Sequence, residues 1–182
     1  MAGLYTVAMA LIHHIRPSAE LNPPLLVLLH GYGADENDLF ALSPYLDPRF
    51  HIVSVRAPRY YAPGYGWYDV AFTQAGIQVD DTHLPESASE VLSLIASLKE
   101  SQTFRNTTLL GFSQGAAVSL YLLLTHPGEI DAVVALSGHV PTVGWTNQVH
   151  YLELAGKPIF IGHGTRDMVV PIAAGRDAKA KL

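Results

Sequence analysis

Short apolar runs alternate with longer amphipathic segments along this chain, a pattern typical of an α/β protein with a mainly parallel sheet. Leu25–Leu29 is apolar at every position, as expected for a strand that is buried on both faces. In Ser87–Ser101 the apolar residues recur at helical spacing, which predicts an amphipathic helix with a capping box formed by Ser87 and Glu90. The segment Ala57–Gly66 is rich in proline, glycine and tyrosine, so we expect a loop there. The other predicted strands are Tyr5–Ile12 at an edge of the sheet, His51–Val55, Thr107–Leu110, Ile130–Leu136 and Pro158–Ile161, and the other predicted helices are Glu36–Leu42, Gln114–Thr125 and one that starts at Ile172.

Composition narrows the function classes. The chain has 182 residues, which suits a single domain over 1–182, and 49% of them are hydrophobic. The net charge is −5 and lysine and arginine form no run, which argues against nucleic acid or an anionic membrane as the main partner. No cysteine is present, so disulfide and thiolate chemistry are excluded.

The hydrophobic content does not indicate membrane insertion. No apolar run approaches the length that a bilayer-spanning helix needs. The apolar segment Met1–Ile12 has no positively charged start, so it is interpreted as a strand and not as a signal peptide. These observations predict a cytoplasmic protein without stable membrane insertion.

The most informative segment is Gly111–Gly115, which has the pattern G-x-S-x-G. It lies between an apolar, strand-like run and a helix-like run. A serine hydroxyl is a poor nucleophile unless it is exposed and placed beside a base, and a sharp strand-to-helix turn achieves the exposure. Glycines two residues before and after Ser113 remove side chains that would clash in such a turn. The pattern therefore predicts that Ser113 is a nucleophile, and the alternative is an ordinary glycine-rich turn.

Two further motifs follow predicted strands. In Leu29–Gly33 the glycines would let backbone N–H groups face a cleft, or they would only serve a tight turn into the next helix. Asp167 comes just after the strand that starts at Pro158, at the edge of the sheet where a catalytic acid belongs. Its alternative role is a loop aspartate that accepts backbone N–H bonds. Asp131 is a weaker candidate because it lies near the start of its strand, at the opposite edge.

Together these motifs resemble a known family. The chain is similar to the phospholipase/carboxylesterase family of α/β-hydrolases, which includes acyl-protein thioesterases and small bacterial carboxylesterases. The resemblance implies the α/β-hydrolase fold, with a mostly parallel central sheet and helices on both faces. It also implies hydrolysis of carboxylic or thio esters by a Ser-His-Asp triad without a cofactor or a metal. The matching segments, in chain order, are Leu29–Asp35, Gly66–Asp69, Gly111–Ala116 and His163–Pro171.

The resemblance also assigns roles to particular residues. It places the nucleophile at Ser113, the acid at Asp167 and the two oxyanion-hole donors at the backbone N–H groups of Tyr32 and Gln114. Each such donor contributes about 3–4 kcal/mol of transition-state stabilisation.

A further matching segment concerns the substrate. Trp67 and Tyr68 correspond to a family segment near the substrate cleft, so they are candidate substrate-binding residues, and the alternative is a core pair that bridges a loop to the sheet. The apolar and tyrosine residues of Tyr60–Tyr68 indicate a small-molecule acyl or aryl ester of short to medium length.

The sequence departs from the family pattern in one respect. The family's catalytic histidine lies beyond the acid, after one more strand, but no histidine follows Asp167 in this sequence. We therefore expect the domain to be C-terminally incomplete, without the last strand and the closing helix. His139, which follows the strand beside the nucleophile strand, is the best replacement within the chain. The adjacent His13 and His14 have no further ligand at metal-binding spacing.

Three explanations remain open. The sequence is a fragment of an ordinary esterase, or the histidine comes from a separate segment or a partner chain, or the protein is a non-catalytic binding or interaction module that kept the fold. An absent last strand would leave an unpaired sheet edge, which favours a homodimer or another edge-strand association.

Overall fold

The computed structural model describes residues 11–73, 76–142 and 151–182. Within these ranges the main sheet has the strand order β1-β3-β2-β8-β9-β10, in which β1 is antiparallel to β3 and the other neighbours are parallel. The strands of the main sheet are β1 (His13–Arg16), β2 (Leu25–Leu29), β3 (His51–Val55), β8 (Thr107–Phe112), β9 (Ala132–Leu136) and β10 (Ile159–Gly162). Two separate hairpins are also described. One pairs β4 (Arg59–Tyr61) with β5 (Gly64–Gly66), and the other pairs β6 (Asp69–Thr73) with β7 (Gly76–Asp80). The helices are α1 (Glu36–Phe40), α2 (Leu84–Ser101), α3 (Gln114–Thr125), α4 (Tyr151–Leu154) and α5 (Ile172–Lys181), with one 3-10 turn at Ser43–Tyr45.

The central strand β2 explains why helices cover both faces of the sheet. All five of its residues are buried, and successive side chains of a strand point to opposite faces. Leu25, Val27 and Leu29 join the large core cluster that also contains residues of α2 and α3. Leu26 and Leu28 pack in a smaller cluster with Leu39 of α1 and with Ile52 of β3. The predicted α/β-hydrolase architecture is confirmed by this arrangement.

Helix α3 is the core helix of the fold. All twelve of its residues are buried, which agrees with its nearly uniform apolar composition. Its first turn rests on the carboxyl end of β2, because a Cβ atom on Gly115 would overlap the carbonyl oxygen of Leu29. This close approach fixes where α3 begins relative to the sheet.

The capping box predicted for α2 is wrong. The helix begins at Leu84, with Pro85 in its first turn, where a proline costs no helical hydrogen bond. Ser87 therefore lies inside the helix, and its hydroxyl donates to the carbonyl oxygen of Trp67 at 2.6 Å. The serine fastens the helix to the segment before β6 instead of capping it.

The predicted loop Ala57–Gly66 contains the short hairpin of β4 and β5, and the hairpin of β6 and β7 was not predicted at all. Residues 1–10, which include most of the predicted edge strand Tyr5–Ile12, lie outside the described residues, and the edge strand that the structure does describe is His13–Arg16. Within the described ranges no helix is both long and apolar enough to cross a membrane.

Candidate active site

Ser113 occupies a sharp turn between β8 and α3. Its backbone angles are φ 53° and ψ −113°, and a positive φ is uncommon for a residue with a side chain. Gly111 and Gly115 allow this turn, because a Cβ atom on Gly111 would overlap the backbone of Gly115. The Ser113 N–H donates to Leu136 O of β9 at 2.8 Å. Ser113 is half-buried, so the strained turn presents its side chain at the surface of a cavity instead of sealing it in the core.

The turn after β2 lies directly beside the serine. A Cβ atom on Gly31 would lie 3.4 Å from the Cβ atom of Ser113. The N–H of Gly33 donates to Tyr65 O, and the N–H of Tyr65 donates to Ala34 O, both at 2.8 Å. The approach is so close that a side chain on Gly64 would overlap the carbonyl oxygen of Gly33. The β5 hairpin therefore holds the turn that carries Tyr32 against Ser113.

A half-buried ion pair supports this turn from behind. Nε and Nη2 of Arg56 donate to the two carboxylate oxygens of Glu36, each at 2.5 Å, and the Glu36 side chain is only 4% exposed. The pKa of Glu36 is lowered, chiefly because its carboxylate accepts these hydrogen bonds. The Arg56 guanidinium also stacks over the ring of Tyr65, 4.6 Å from its centre. Glu36 begins α1, so the pair links this helix to the hairpin residue that holds Gly33 and Ala34.

The side chain of Gln114 connects the turn at Ser113 to the segment of Trp67 and Tyr68. Its Oε1 accepts the N–H of Trp67 at 2.9 Å, and its Nε2 donates to Tyr68 O at 2.8 Å. The Trp67 ring is fully buried and does not line the cavity, and its Nε1 donates to His30 O at 2.8 Å. Tyr68 is also buried, but its side chain forms part of the cavity wall.

Asp167 lies in the loop between β10 and α5. Its Oδ1 accepts the N–H groups of Val169 and Val170, each at 2.9 Å. These two bonds, the one from Val170 first, lower the pKa of the Asp167 carboxyl, and the Ser137 side chain adds a smaller contribution. Asp167 is therefore an ionised carboxylate at neutral pH. Val169 and Val170, which fix it, also line the cavity beside Ser113.

One cavity of about 360 Å³ brings most of these groups together. The candidate residues on its wall are Ser113, Gln114, Tyr32 and Tyr68. Most of the remaining wall is apolar. The other lining residues are Val70, Ile77, Val79, Asp81, His139, Thr142, Val169, Val170, Pro171 and Ala174.

Comparison with known proteins identifies the family. Residues 12–182 match the model of a family described as Phospholipase/Carboxylesterase. The chain belongs to this family. Acyl-protein thioesterase 1 of Saccharomyces cerevisiae is 29% identical over 182 residues, which cover 91% of this chain and 80% of the yeast protein. The Kluyveromyces lactis protein of the same name is 28% identical and covers 92% of this chain and 81% of its own length. The crystal structure of the Bacillus cereus carboxylesterase superimposes with a TM-score of 0.82 at 25% identity, covering 96% of this chain and 80% of that one.

Three histidines of the chain lie near the site, and none of them hydrogen-bonds to Ser113 among the described residues. Nε2 of His163 is 2.7 Å from Val170 O and 3.8 Å from Asp167 Oδ2, and its side chain is buried. The buried ring of His30 accepts the N–H of Ala57 at Nε2, and its Nδ1 is 2.7 Å from Gly31 O. His139 lines the cavity and meets the ring of Tyr68 edge-on, with 6.3 Å between the ring centres. His150 lies outside the described residues.

Asp131, the rival acid, lies far from these groups along the strands. Its Oδ2 accepts the N–H of Thr107 at 2.7 Å, at the amino ends of β8 and β9. Ser113 follows the carboxyl end of β8. Asp131 thus lies at the amino ends of the parallel strands, at the end of the sheet opposite to Ser113.

Sequence reasoning missed two polar residues of the cavity wall, Asp81 and Thr142. Asp81 follows the β6–β7 hairpin, whose Val70, Ile77 and Val79 form the adjacent wall. Neither residue belongs to a recognisable motif. The alternating apolar residues of Gly76–Asp80 were the only signal for this hairpin.

Proposed function

We propose that this chain is a serine carboxylic-ester hydrolase in which Ser113 is the nucleophile. The observation that carries the proposal is the strained turn at Ser113, which opens into an apolar cavity beside the Tyr32 turn and the start of α3. The substrates would be carboxylic esters, or thioesters or lysophospholipids with the same acyl chemistry. The proposal agrees with membership of the phospholipase/carboxylesterase family and requires no cofactor.

The proposed reaction is acyl transfer in two halves. Ser113 Oγ attacks the carbonyl carbon while a base takes its proton, and the carbonyl oxygen becomes an oxyanion. The N–H groups of Tyr32 and Gln114 stabilise this oxyanion; first-turn N–H groups such as that of Gln114 have no acceptor within their helix. The proton then passes to the departing alcohol or thiol. Water hydrolyses the acyl-serine by the same steps and releases the acid.

The base in this proposal is a histidine that Asp167 orients and that is not among these 182 residues. Asp167 supports this role because its Oδ1 is fixed by two backbone N–H groups while it stays ionised. His163 is a poor substitute because its side chain is buried against α5, so close that a Cβ atom on Gly175 would lie 2.7 Å from its Nδ1. His139 shares the cavity with Ser113 and is the competing candidate.

The cavity volume supports a limit on acyl size. About 360 Å³ is near the lower end of the range for small-molecule pockets. Together with the valine and isoleucine walls, this favours short to medium acyl chains. Tyr68 is the proposed substrate contact, and Trp67 would act behind it as a positioning residue.

The decisive experiment measures Ser113-dependent turnover of p-nitrophenyl butyrate with and without added imidazole. A small base that diffuses into the cavity can accept the serine proton where no histidine is in place. We expect the difference in rate between the wild type and Ser113→Ala to increase with imidazole concentration. Intact mass after treatment with a fluorophosphonate should show a single adduct on the wild type and none on Ser113→Ala.

Two controls separate the alternatives. His139→Phe should keep the imidazole-dependent rate within about twofold, whereas a loss of all Ser113-dependent turnover in this variant would make His139 the base. No Ser113-dependent rate under any condition, together with binding of an acyl ligand, would instead favour the non-catalytic binding module. That alternative is motivated by the absence of a described histidine bonded to Ser113.

A further inference from the structure

The cavity beside Ser113 has one charged group in an otherwise mainly apolar wall. Asp81 lines this cavity, yet the residue is only 5% exposed. A carboxylate in such surroundings is costly unless hydrogen bonds or an opposite charge stabilise it. The partners of Asp81 therefore determine what the cavity would bind.

Threonine and backbone groups hold Asp81 in place. Its carboxylate accepts the N–H of Thr142 at 2.8 Å and the hydroxyl of the same residue at 3.1 and 3.2 Å. Its own carbonyl oxygen accepts the N–H of Leu84 at the start of α2. A carboxylate offers about four acceptor positions, so the two donors of Thr142, the ones found among the described residues, fill only part of its capacity.

No cation balances this carboxylate within the part of the chain that the structure describes. No described lysine or arginine pairs with Asp81, and none lines the cavity. The other titratable ring on that wall is His139. Burial lowers the pKa of His139, and the nearby Asp81 charge only partly opposes this, so the imidazole is neutral at neutral pH. The cavity therefore presents a carboxylate group for which the described residues supply no counter-charge.

We propose that Asp81 is a recognition subsite for acyl groups that carry a cation or a hydrogen-bond donor. It would disfavour acyl groups whose chain ends in a carboxylate. The inference rests on the proposed ester hydrolase function, because it treats the cavity as the acyl pocket of Ser113. The physical reason is that charges interact much more strongly in a partly buried pocket than in water. A cation on the acyl chain would meet an acceptor that is already in place.

The test compares three p-nitrophenyl esters of equal chain length. Their acyl chains end in a methyl group, a carboxylate or a trimethylammonium group. We expect kcat/KM, measured with imidazole present, to be at least about tenfold higher for the cationic ester than for the anionic one. Equal values, or a preference for the carboxylate, would overturn the proposal.

Two variants test whether Asp81 is the cause. Asp81→Asn removes the charge and should bring the cationic-to-anionic ratio close to one. The matched control is Asp80→Asn, since Asp80 is exposed, bonds Thr82 and does not line the cavity. This control should keep the wild-type ratio. A ratio that survives in Asp81→Asn, or is lost in Asp80→Asn, contradicts the proposal.

A binding measurement separates this inference from the proposed function. Calorimetry with the primary amides of the charged acyl chains needs no turnover. The wild-type protein could bind the cationic amide at least about tenfold more tightly than the anionic one and yet show no Ser113-dependent hydrolysis. That result would support the Asp81 subsite and contradict the proposed hydrolase function. Hydrolysis without any charge preference would support the proposed hydrolase function and contradict the Asp81 subsite.

Discussion

At the scale of single residues, the site depends on places where a side chain cannot be accommodated. Gly115 is the clearest of these positions, since it allows α3 to start against the carbonyl oxygen of Leu29. The same contact determines the position of Ser113 relative to the carboxyl end of β2, because Ser113 directly precedes α3. The absence of a side chain at Gly115 therefore matters both for the packing of α3 and, under the proposed function, for the placement of the nucleophile.

Gly115→Ala tests this contact. The added Cβ atom has rigid backbone in its way, so we expect a loss of about 1–3 kcal/mol of unfolding free energy or a failure to fold, measured by urea denaturation. Gly128→Ala is the matched control, because a Cβ atom there meets nothing within 4 Å. The control should change the stability by no more than about 0.5 kcal/mol. Equal effects of the two substitutions would contradict the steric argument.

His51 is buried at the start of β3, and neither ring nitrogen has a hydrogen-bond partner among the described residues. Its ring meets that of Phe104 edge-on. Burial lowers the pKa of His51 below its ordinary value of about 6.5. The unfolded chain therefore binds more protons than the folded one as the solution becomes acidic.

From this shift we predict that the unfolding free energy is constant above about pH 7.5 and decreases as the pH falls through 6.5. His51→Leu should make this decrease shallower, because leucine cannot take up the proton. Part of the decrease should remain, since burial also lowers the pKa of His30. Urea denaturation between pH 5 and pH 8 measures both slopes. An unchanged slope in the variant would show that His51 does not contribute.

At the scale of elements, the Glu36–Arg56 pair joins α1 to the hairpin of β4 and β5. A forked guanidinium matches a carboxylate with two parallel bonds, which a lysine cannot reproduce. The pair is therefore expected to fix the turn that carries Tyr32 as well as to stabilise the fold.

Arg56→Met should lower the unfolding free energy by about 1.5–3 kcal/mol, because it leaves the buried Glu36 carboxylate without its donors. Arg49→Met removes a similar forked pair, the one with Asp47, but that pair is exposed and should have little effect on stability. Under the proposed function, Arg56→Lys should lower kcat more than it raises KM, since a displaced oxyanion donor affects the transition state more than the bound substrate. A change confined to KM would contradict this role.

The elements also show how far sequence alone reaches. The strands β2, β3 and β8 and the helix α3 were predicted because long apolar runs identify buried elements. The start of α2 was placed three residues late, because Ser87 with Glu90 resembles a cap while Ser87 in fact bonds Trp67 across the fold. The two hairpins were missed, since strands of only three to five residues give little periodic signal.

The candidate site likewise contains residues that sequence motifs predict and residues that they do not. Ser113, Tyr32 and Gln114 come from motifs with fixed backbone geometry, so their meeting at one cavity could be anticipated. Trp67 could not be distinguished from its neighbour by sequence, because adjacent residues take opposite sides of the wall. Asp81 and Thr142 were missed because only tertiary structure brings them together.

At the scale of the whole molecule, the main sheet ends at β10. This strand pairs with β9 on one side, and no other described strand pairs with it. Its Phe160 side chain is 60% exposed. An edge of this kind is a template for another strand.

We therefore expect the 182-residue chain to form dimers as its concentration rises, as measured by sedimentation velocity. Phe160→Lys should weaken this association, because a charged side chain on an edge strand opposes pairing. Tyr45→Lys introduces the same charge at another exposed aromatic residue and should leave the association unchanged. A wild-type chain that stays monomeric at high concentration would contradict the prediction that β10 mediates association.

The two faces of Gln114 have a consequence for how this protein can change over evolution. Under the proposed function its main-chain N–H faces the reacting carbonyl, while its side-chain amide bonds the backbone of Trp67 and Tyr68, and Tyr68 lines the cavity. A substitution that reshapes the Trp67–Tyr68 segment to admit a bulkier acyl chain would also disturb the residue next to the proposed nucleophile. Under the proposed function, acyl preference and reaction rate are therefore coupled through Gln114.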